Sequence, residues 1–155
     1  MDKAFIIRPA VEADLAQVLH LYSDLTGVYQ VEDHVEPTGQ PPGADLLRVF
    51  HDDRQHILVA EWQGKVVGTL TVVIVPNIGH HGTPWAALTN VVVDKAFRGR
   101  GIGTALMGEA GRIGCEHHCY KIILSSNLAR EQAHLFYQRL GWEESHIGFS
   151  LPLNK

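Results

Sequence analysis

The stretch DKAFRGRGIGT, residues 94–104, lies between a predicted strand that ends at Val93 and a predicted helix that starts near Gly101. Its three alternating glycines allow a tight turn and bring backbone N–H groups close to a ligand, and the amino terminus of the helix adds a partial positive charge. Arg98 and Arg100 contribute forked hydrogen-bond donors that suit phosphate oxygens. The stretch therefore predicts a loop that binds pyrophosphate.

Two common nucleotide-binding motifs differ from this loop. The glycines are not followed by the Lys-Ser/Thr pair of a P-loop, and their spacing and position differ from those of the dinucleotide-binding fingerprint. A glycine-rich turn that only connects a strand to a helix is the simpler alternative. We favour the ligand-binding interpretation because three glycines are entropically costly for a connection alone.

The rest of the chain predicts an α/β fold. Apolar runs predict strands at 4–8, 56–62, 65–75, 85–93 and 120–125, and the tail is expected to supply one or two more. Apolar residues at helical spacing predict helices at about 11–25, 44–50, 101–117 and 131–140, and residues 28–43 are expected to form a long loop or an irregular helix pair. We therefore expect a mixed sheet of about six to seven strands flanked by about four helices.

The composition indicates a single soluble domain over residues 1–155. The chain is 45% hydrophobic and 19% charged, and it has no apolar run of the roughly eighteen residues that a membrane helix needs. The first residues lack the apolar core and cleavage site of a secretory signal, so a cytoplasmic location is expected. Cys115 and Cys119, only four residues apart, give little support for a disulfide framework.

The formal net charge of −4 argues against binding to a nucleic-acid backbone, because such proteins are basic or carry a basic stripe. A negative charge favours a cationic small-molecule substrate. Trp62, Trp85 and Trp142 are not interleaved with basic residues, so they do not predict a platform for stacking bases.

One short segment combines side chains that zinc prefers, namely Cys115, His117, His118 and Cys119. These residues span a helix end and a tight exit, where four side chains cannot readily form a tetrahedron. No second ligand cluster appears elsewhere in the sequence. We therefore expect no metal site.

Two separate segments resemble the GNAT superfamily of acetyl-CoA-dependent N-acetyltransferases. RGRGIG at residues 98–103 matches the signature Arg/Gln-x-x-Gly-x-Gly/Ala of that family, and AHLFYQRLGW at residues 133–142 resembles its Ala-x-x-Phe-Tyr-x-x-Leu-Gly-Phe segment. The resemblance covers nearly the whole chain and implies the GNAT-type sheet, which is mixed and mostly antiparallel. Within the superfamily, residues 90–93 and 119–124 look similar to glucosamine-phosphate N-acetyltransferases.

The resemblance also implies how acetyl-CoA, the acetyl donor, is bound. Val91 and Val93 resemble the bulged family strand whose backbone bonds to pantetheine. By the same resemblance, Tyr137 would lie near the CoA sulfur. It could act there as a general acid, because its ordinary pKa of about 10 keeps the hydroxyl protonated at neutral pH. A tyrosine that only packs in the core is the simpler alternative. The pyrophosphate would be held by Arg98, Gly99, Arg100, Gly101, Ile102, Gly103 and Thr104.

Two positions depart from the family pattern. Many relatives carry a glutamate where Thr89 stands, and that glutamate acts on the amine through water, which threonine cannot do. Relatives often have an asparagine where Arg130 stands, and Arg130 is counted here among the cofactor-binding residues.

The base that accepts the amine proton therefore has two other candidates. His80 and His81, in the loop before the strand at 85–93, titrate near neutral pH if unperturbed. The second candidate is the acidic group of Glu32, Asp33 and Glu36, which would line the entrance of an amine-binding site. Solvated loop residues are the simpler interpretation of both groups.

We expect an N-acetyltransferase that acts on the amine of a small molecule by direct attack. A protein or peptide N-acetyltransferase is the second hypothesis. A non-catalytic acyl-CoA-binding domain is the third, and the missing glutamate at Thr89 keeps it open. Dimers are common among relatives, so a homodimer is expected by analogy.

Overall fold

The computed structural model describes residues 4–26 and 42–153, apart from the side chains of 24–26 and 42–44. Five strands and four helices lie in these ranges. The strands are β1 (Ile6–Pro9), β2 (Gln55–Trp62), β3 (Lys65–Val75), β4 (Trp85–Val93) and β5 (Ile122–Leu124). The helices are α1 (Leu15–Thr26), α2 (Pro42–Phe50), α3 (Ile102–Glu116) and α4 (Glu131–Arg139).

The five strands form one mixed sheet in the order β1-β2-β3-β4-β5. The first four are antiparallel to their neighbours, and β5 runs parallel to β4. Parallel neighbours need a crossover connection, and α3 supplies it. The β2–β3 hairpin turns at Gln63 and Gly64, whose φ values of 49° and 80° are those of the tight turn that the sequence predicts.

Apolar side chains cover both faces of the sheet. On one face, Val18 and Leu21 of α1 pack in a buried cluster with Val59, Val66 and Val92. On the other face, α3 contributes most of the larger cluster, which also holds Tyr137 of α4. The sheet is therefore the middle layer of three, and a ligand can reach its central strands only where those layers separate.

Two sequence-based expectations are corrected by the structure. The sheet has five strands among the described residues, not six to seven, because residues 143–153 form neither strand nor helix. That tail has the alternation of a strand, with apolar residues at 147, 149, 151 and 153, but alternation alone supplies no hydrogen-bonding neighbour. All four side chains are between 81 and 94% exposed.

The other boundaries shift by a few residues. β5 is only three residues long, and α2 begins at Pro42, which is favoured in the first turn of a helix. Most of the predicted loop at 28–43 lies outside the described residues. In the described ranges, no helix is long and apolar enough to cross a membrane.

An ion-pair network connects β1, β2 and the start of α1. Arg8 donates from Nη1 and Nη2 to Asp14 at 2.7 and 2.9 Å, and from Nε to Glu61 at 2.7 Å. Asp14 is buried and also accepts the Val11 N–H at 2.8 Å. The hydrogen bond from Arg8 outweighs the effect of burial and holds the pKa of Asp14 below its ordinary value.

Replacing Asp14 by asparagine (Asp14→Asn) should lower the free energy of unfolding at pH 7 by about 1–3 kcal/mol, because Arg8 loses a charged, part-buried partner. A carboxylate whose pKa falls on folding stabilises the fold above its unfolded-state pKa of about 4, and that contribution is lost as the pH falls through the folded-state pKa. Denaturant unfolding should therefore show a difference that shrinks toward pH 3. Asp53→Asn, at an exposed carboxylate, is the control and should change little at either pH. An equal loss at both pH values for Asp14→Asn would contradict the ion-pair explanation.

Candidate functional site

A β-bulge interrupts β4 near its carboxyl end. Thr71 pairs with Thr89 and Thr69 with Val92, so two residues of β4 face one residue of β3. Asn90, within the bulge, has a φ of 54°. Asparagine tolerates this left-handed conformation better than most residues, and a bulge bends its strand at that point.

Beyond the bulge, β4 separates from β5. The parallel pairing joins Ala86–Leu88 to Ile122–Leu124 and ends there, whereas β4 continues to Val93. Residues 91–93 therefore have β3 on one side and no ladder partner on the other among the described strands. We call this opening between β4 and β5 the slot.

The backbone geometry shows which donors face the slot. Asp94 donates its N–H to Val67 of β3 at 2.8 Å. Because backbone groups of successive strand residues point to alternate sides, the N–H groups of Val93 and Val91 point away from β3. Arg98 Nε donates to the Val93 carbonyl from that same side at 2.9 Å. Two backbone donors, at Val91 and Val93, thus face the slot.

The glycine loop lies directly after these donors. Gly99 and Gly101 have φ values of 75° and 80°, in the region that favours glycine, and a Cβ added to either would meet no atom within 4 Å. The first helical bond of α3 runs from Ala105 N–H to Gly101 O, so the N–H groups of residues 102–104 have no partner within the helix. The loop therefore presents free backbone donors and open space, as an anion site requires.

The two loop arginines are held by contacts within the protein. Arg98 joins the loop to β4 through its Nε. The guanidinium of Arg100 lies over the Trp62 ring at 5.2 Å and the Phe97 ring at 5.8 Å. The sequence predicted phosphate contacts for both arginines, but it did not indicate these anchoring contacts, because Trp62 is 38 positions away in the chain.

The sequence matches the Acetyltransferase (GNAT) family over residues 16–142. The chain belongs to this family. It is 29% identical to glucosamine 6-phosphate N-acetyltransferase of Trypanosoma brucei brucei over 84% of this chain and 90% of that protein. It is 30% identical to aminoalkylphosphonate N-acetyltransferase of Salmonella typhimurium over 66% of each chain. A solved structure from Agrobacterium tumefaciens str. C58, assigned only as an acetyltransferase, matches with a TM-score of 0.82 at 32% identity and covers 95% of this chain and 99% of that one.

The family resemblance predicted from residues 98–103 and 133–142 is thus confirmed. The protein is a GNAT N-acetyltransferase, and its acetyl donor is acetyl-CoA.

The two GNAT motifs touch each other in the fold. A Cβ added to Gly103 would lie 3.1 Å from Phe136 Cζ, so glycine at this position allows the close approach of α3 and α4. Gly103 therefore has a packing role that sequence inspection did not assign. This contact holds α4, which carries Tyr137, against α3, which starts at the glycine loop.

Tyr137 is buried at 8% exposure, and its ring centroid lies 5.4 Å from that of Phe136 and 6.3 Å from that of Trp142. The ring is thus part of the core on the α3 side of the sheet. Arg130 lies just before α4, is half-buried, and donates its backbone N–H to Asn127 O at 2.9 Å.

His80 and His81 do not lie at the bulge. Both have left-handed backbones, with φ values of 50° and 56°, and the His80 ring packs on Tyr120 with centroids 4.0 Å apart. Their loop precedes β4, and the five steps from Trp85 to Asn90 span roughly 17 Å at the usual strand rise. Neither histidine is placed to take a proton from an amine at the bulge.

The remaining candidate groups are Thr89, three acidic residues of the first long loop and the two cysteines. Thr89, at the position of the family glutamate, is exposed beside the bulge. Glu32, Asp33 and Glu36 lie outside the described residues. Cys115 and Cys119 are free thiols, and no group of three potential metal ligands occurs among the residues that the structure describes.

A second feature of the site was missed by sequence reasoning. Tyr22 of α1 forms side-chain hydrogen bonds with Thr71 and Asn90, and burial raises the pKa of its hydroxyl despite them. These three residues belong to three different elements, so no spacing along the chain could have connected them. They lie at one end of a cavity of about 390 Å³ between α1, α2 and the sheet.

Gly101→Asp should abolish most of the affinity for CoA and leave the fold intact. Aspartate accepts a left-handed backbone more readily than most residues, and it has room here, but it places a negative charge in the open space of the loop. A thermal-shift titration with CoA should show stabilisation of the parent protein and a Kd at least about tenfold weaker for the variant. Gly108→Asp, on an open position of α3 away from the loop, is the matched control. Equal CoA affinity of Gly101→Asp and the parent would show that the loop does not hold the cofactor.

Proposed function

We propose that the protein acetylates the amine of a small molecule by direct attack on the thioester of acetyl-CoA. In this reaction the amine nitrogen bonds to the carbonyl carbon, the C–S bond breaks, the sulfur leaves as a thiolate, and the nitrogen gives up one proton. No protein nucleophile is needed. The observation that carries the proposal is the pair of slot-facing donors at Val91 and Val93, next to a loop with free amides.

Each end of the slot has a separate role in this proposal. The Val91 N–H polarises the thioester carbonyl, since a fixed donor stabilises the negative charge that develops on its oxygen. Val93 holds the pantetheine arm. The amides of Gly99, Arg100, Gly101, Ile102, Gly103 and Thr104 hold the pyrophosphate, with the side chains of Arg98 and Arg130 beside it.

The proton balance sets the remaining roles. The amine must be neutral before it attacks. We assign its proton to water, because Thr89 cannot act as a base and the two loop histidines lie at the far end of β4. Glu32, Asp33 and Glu36, which lie outside the described residues, are the alternative. Tyr137 returns a proton to the departing thiolate. A general acid or base of this kind contributes about a hundred- to ten-thousandfold to the rate.

The small volume of the cavity beside the bulge favours a small molecule over a protein or peptide acceptor. Its volume of about 390 Å³ falls within the usual range for small-ligand sites, whereas a peptide chain needs an open groove. A non-catalytic acyl-CoA-binding domain is disfavoured by the same cavity, since such a domain has no use for an acceptor site.

We also propose that the protein is a cytoplasmic homodimer. Its free cysteines suit a reducing compartment. The apolar side chains of residues 147, 149, 151 and 153 support the dimer, because such an exposed apolar row marks interaction surfaces. Light scattering should give twice the chain mass for the full chain and one chain mass for a variant that ends at Ser145. A monomeric full chain would contradict this proposal.

Tyr137→Phe should lower turnover by roughly ten- to a thousandfold while acetyl-CoA affinity changes little. Phenylalanine keeps the buried ring, so the substitution removes only the hydroxyl. If that hydroxyl has a structural role alone, turnover stays near the parental value and stability falls by about 1 kcal/mol. Steady-state thiol release, with Tyr120→Phe as a control remote from the bulge, decides between the two outcomes.

A further inference from the structure

The cavity between α1, α2 and the sheet ends at the reacting centre of the proposed mechanism. Asn90 lines it, and the next residue, Val91, carries the slot-facing N–H. An acceptor in this cavity would therefore approach the thioester from the side of the sheet opposite to α3.

The lining divides the cavity into chemically different parts. Tyr22, Thr71 and Asn90 form a hydrogen-bonded, uncharged end at the bulge. Asp45 of α2 is the one acidic residue in the described part of the lining, and Gln55 is polar. The remaining lining side chains are leucine, valine or isoleucine. An acceptor would thus meet an uncharged polar end, aliphatic walls and a single carboxylate.

Among the residues that the structure describes, none that lines the cavity is a lysine or arginine. As a stretch of sequence, residues 9–47 hold seven aspartates and glutamates and no lysine or arginine. The nearest cation after them, Arg48, is 73% exposed, forms an i,i+3 pair with Asp45 and does not line the cavity. Phosphate and phosphonate groups are bound in proteins chiefly by such cationic side chains.

We infer that the acceptor is an aliphatic amine that carries a second cationic group and no phosphate or phosphonate. This inference rests on the proposed function and specifies its substrate class. Asp45 binds the second cation, the aliphatic walls contact the methylene chain, and the uncharged end receives the neutral amine that attacks. Asp45 is available for this role because an exposed i,i+3 ion pair is weak and exchanges readily.

The inference separates this protein from the two N-acetyltransferases compared above, whose names specify acceptors with a phosphorus oxyanion. The charge of the cavity thus assigns this protein a different class of acceptor from the one that those two names specify.

Three amines of similar length test the assignment: 1,4-diaminobutane ends in a second ammonium group, butylamine in an uncharged methyl group and 3-aminopropylphosphonate in an anionic phosphonate. When thiol release from acetyl-CoA is measured, kcat/KM for diaminobutane should be at least about tenfold above that for butylamine, because a hydrogen-bonded ion pair contributes about that factor or more. The phosphonate should give the lowest kcat/KM of the three. Equal values for diaminobutane and butylamine, or a preference for the phosphonate, would overturn the inference.

Asp45→Asn supplies the second measurement. It should lower kcat/KM for diaminobutane toward that for butylamine, so that the ratio of the two values falls toward one. Asp53→Asn, at an exposed carboxylate just beyond α2, is the matched control and should change neither. An unchanged diaminobutane preference in Asp45→Asn would show that this carboxylate is not the anchor.

The outcomes also separate the inference from the proposed function. If all three compounds are inactive but another amine, such as glucosamine, releases thiol, the substrate class is wrong and N-acetylation stands. If no amine of a broad panel releases thiol from a protein that binds CoA, the proposed function fails and the inference fails with it.

Discussion

The bulge at Asn90 is the constraint on which the rest of the site depends. It allows β4 to stay paired with β3 while it bends away from β5, so that the ladder to β5 ends at Leu88. The bend opens the slot and leaves the N–H groups of Val91 and Val93 facing it. Without the extra residue, β4 would continue alongside β5, and these donors would be used within the sheet.

The structure supports the bulge and the glycine loop from opposite faces of the sheet. On the α1 face, the side chain of Tyr22 hydrogen-bonds to that of Asn90. On the α3 face, Gly103 packs against Phe136, which fixes the start of α3 relative to α4. The slot therefore lies between packing contacts on both faces of the sheet, and changes in either should alter its geometry.

Charge is distributed unevenly around this slot. The loop side has Lys95, Arg98 and Arg100 within six residues, whereas the described residues that line the cavity include the carboxylate of Asp45 and no lysine or arginine. The net charge of −4 conceals this separation. A polyanionic acyl donor and a cationic acceptor would each be attracted to its own side, which favours a complex with both substrates in place.

The sequence by itself determined the features that depend on local chemistry: the hairpin at Gln63–Gly64, the tight glycine turn before α3, the core helices and the family. Each of these follows from a few adjacent residues or from a short period. Only the tertiary structure decided which distant residues meet, namely Arg100 with Trp62, Gly103 with Phe136, and Tyr22 with Asn90. It also separated His80 and His81 from the bulge and left residues 143–153 outside the sheet. The physical reason is that hydrogen-bond partners and cavity walls are set by packing between elements, and packing leaves no fixed spacing in the chain.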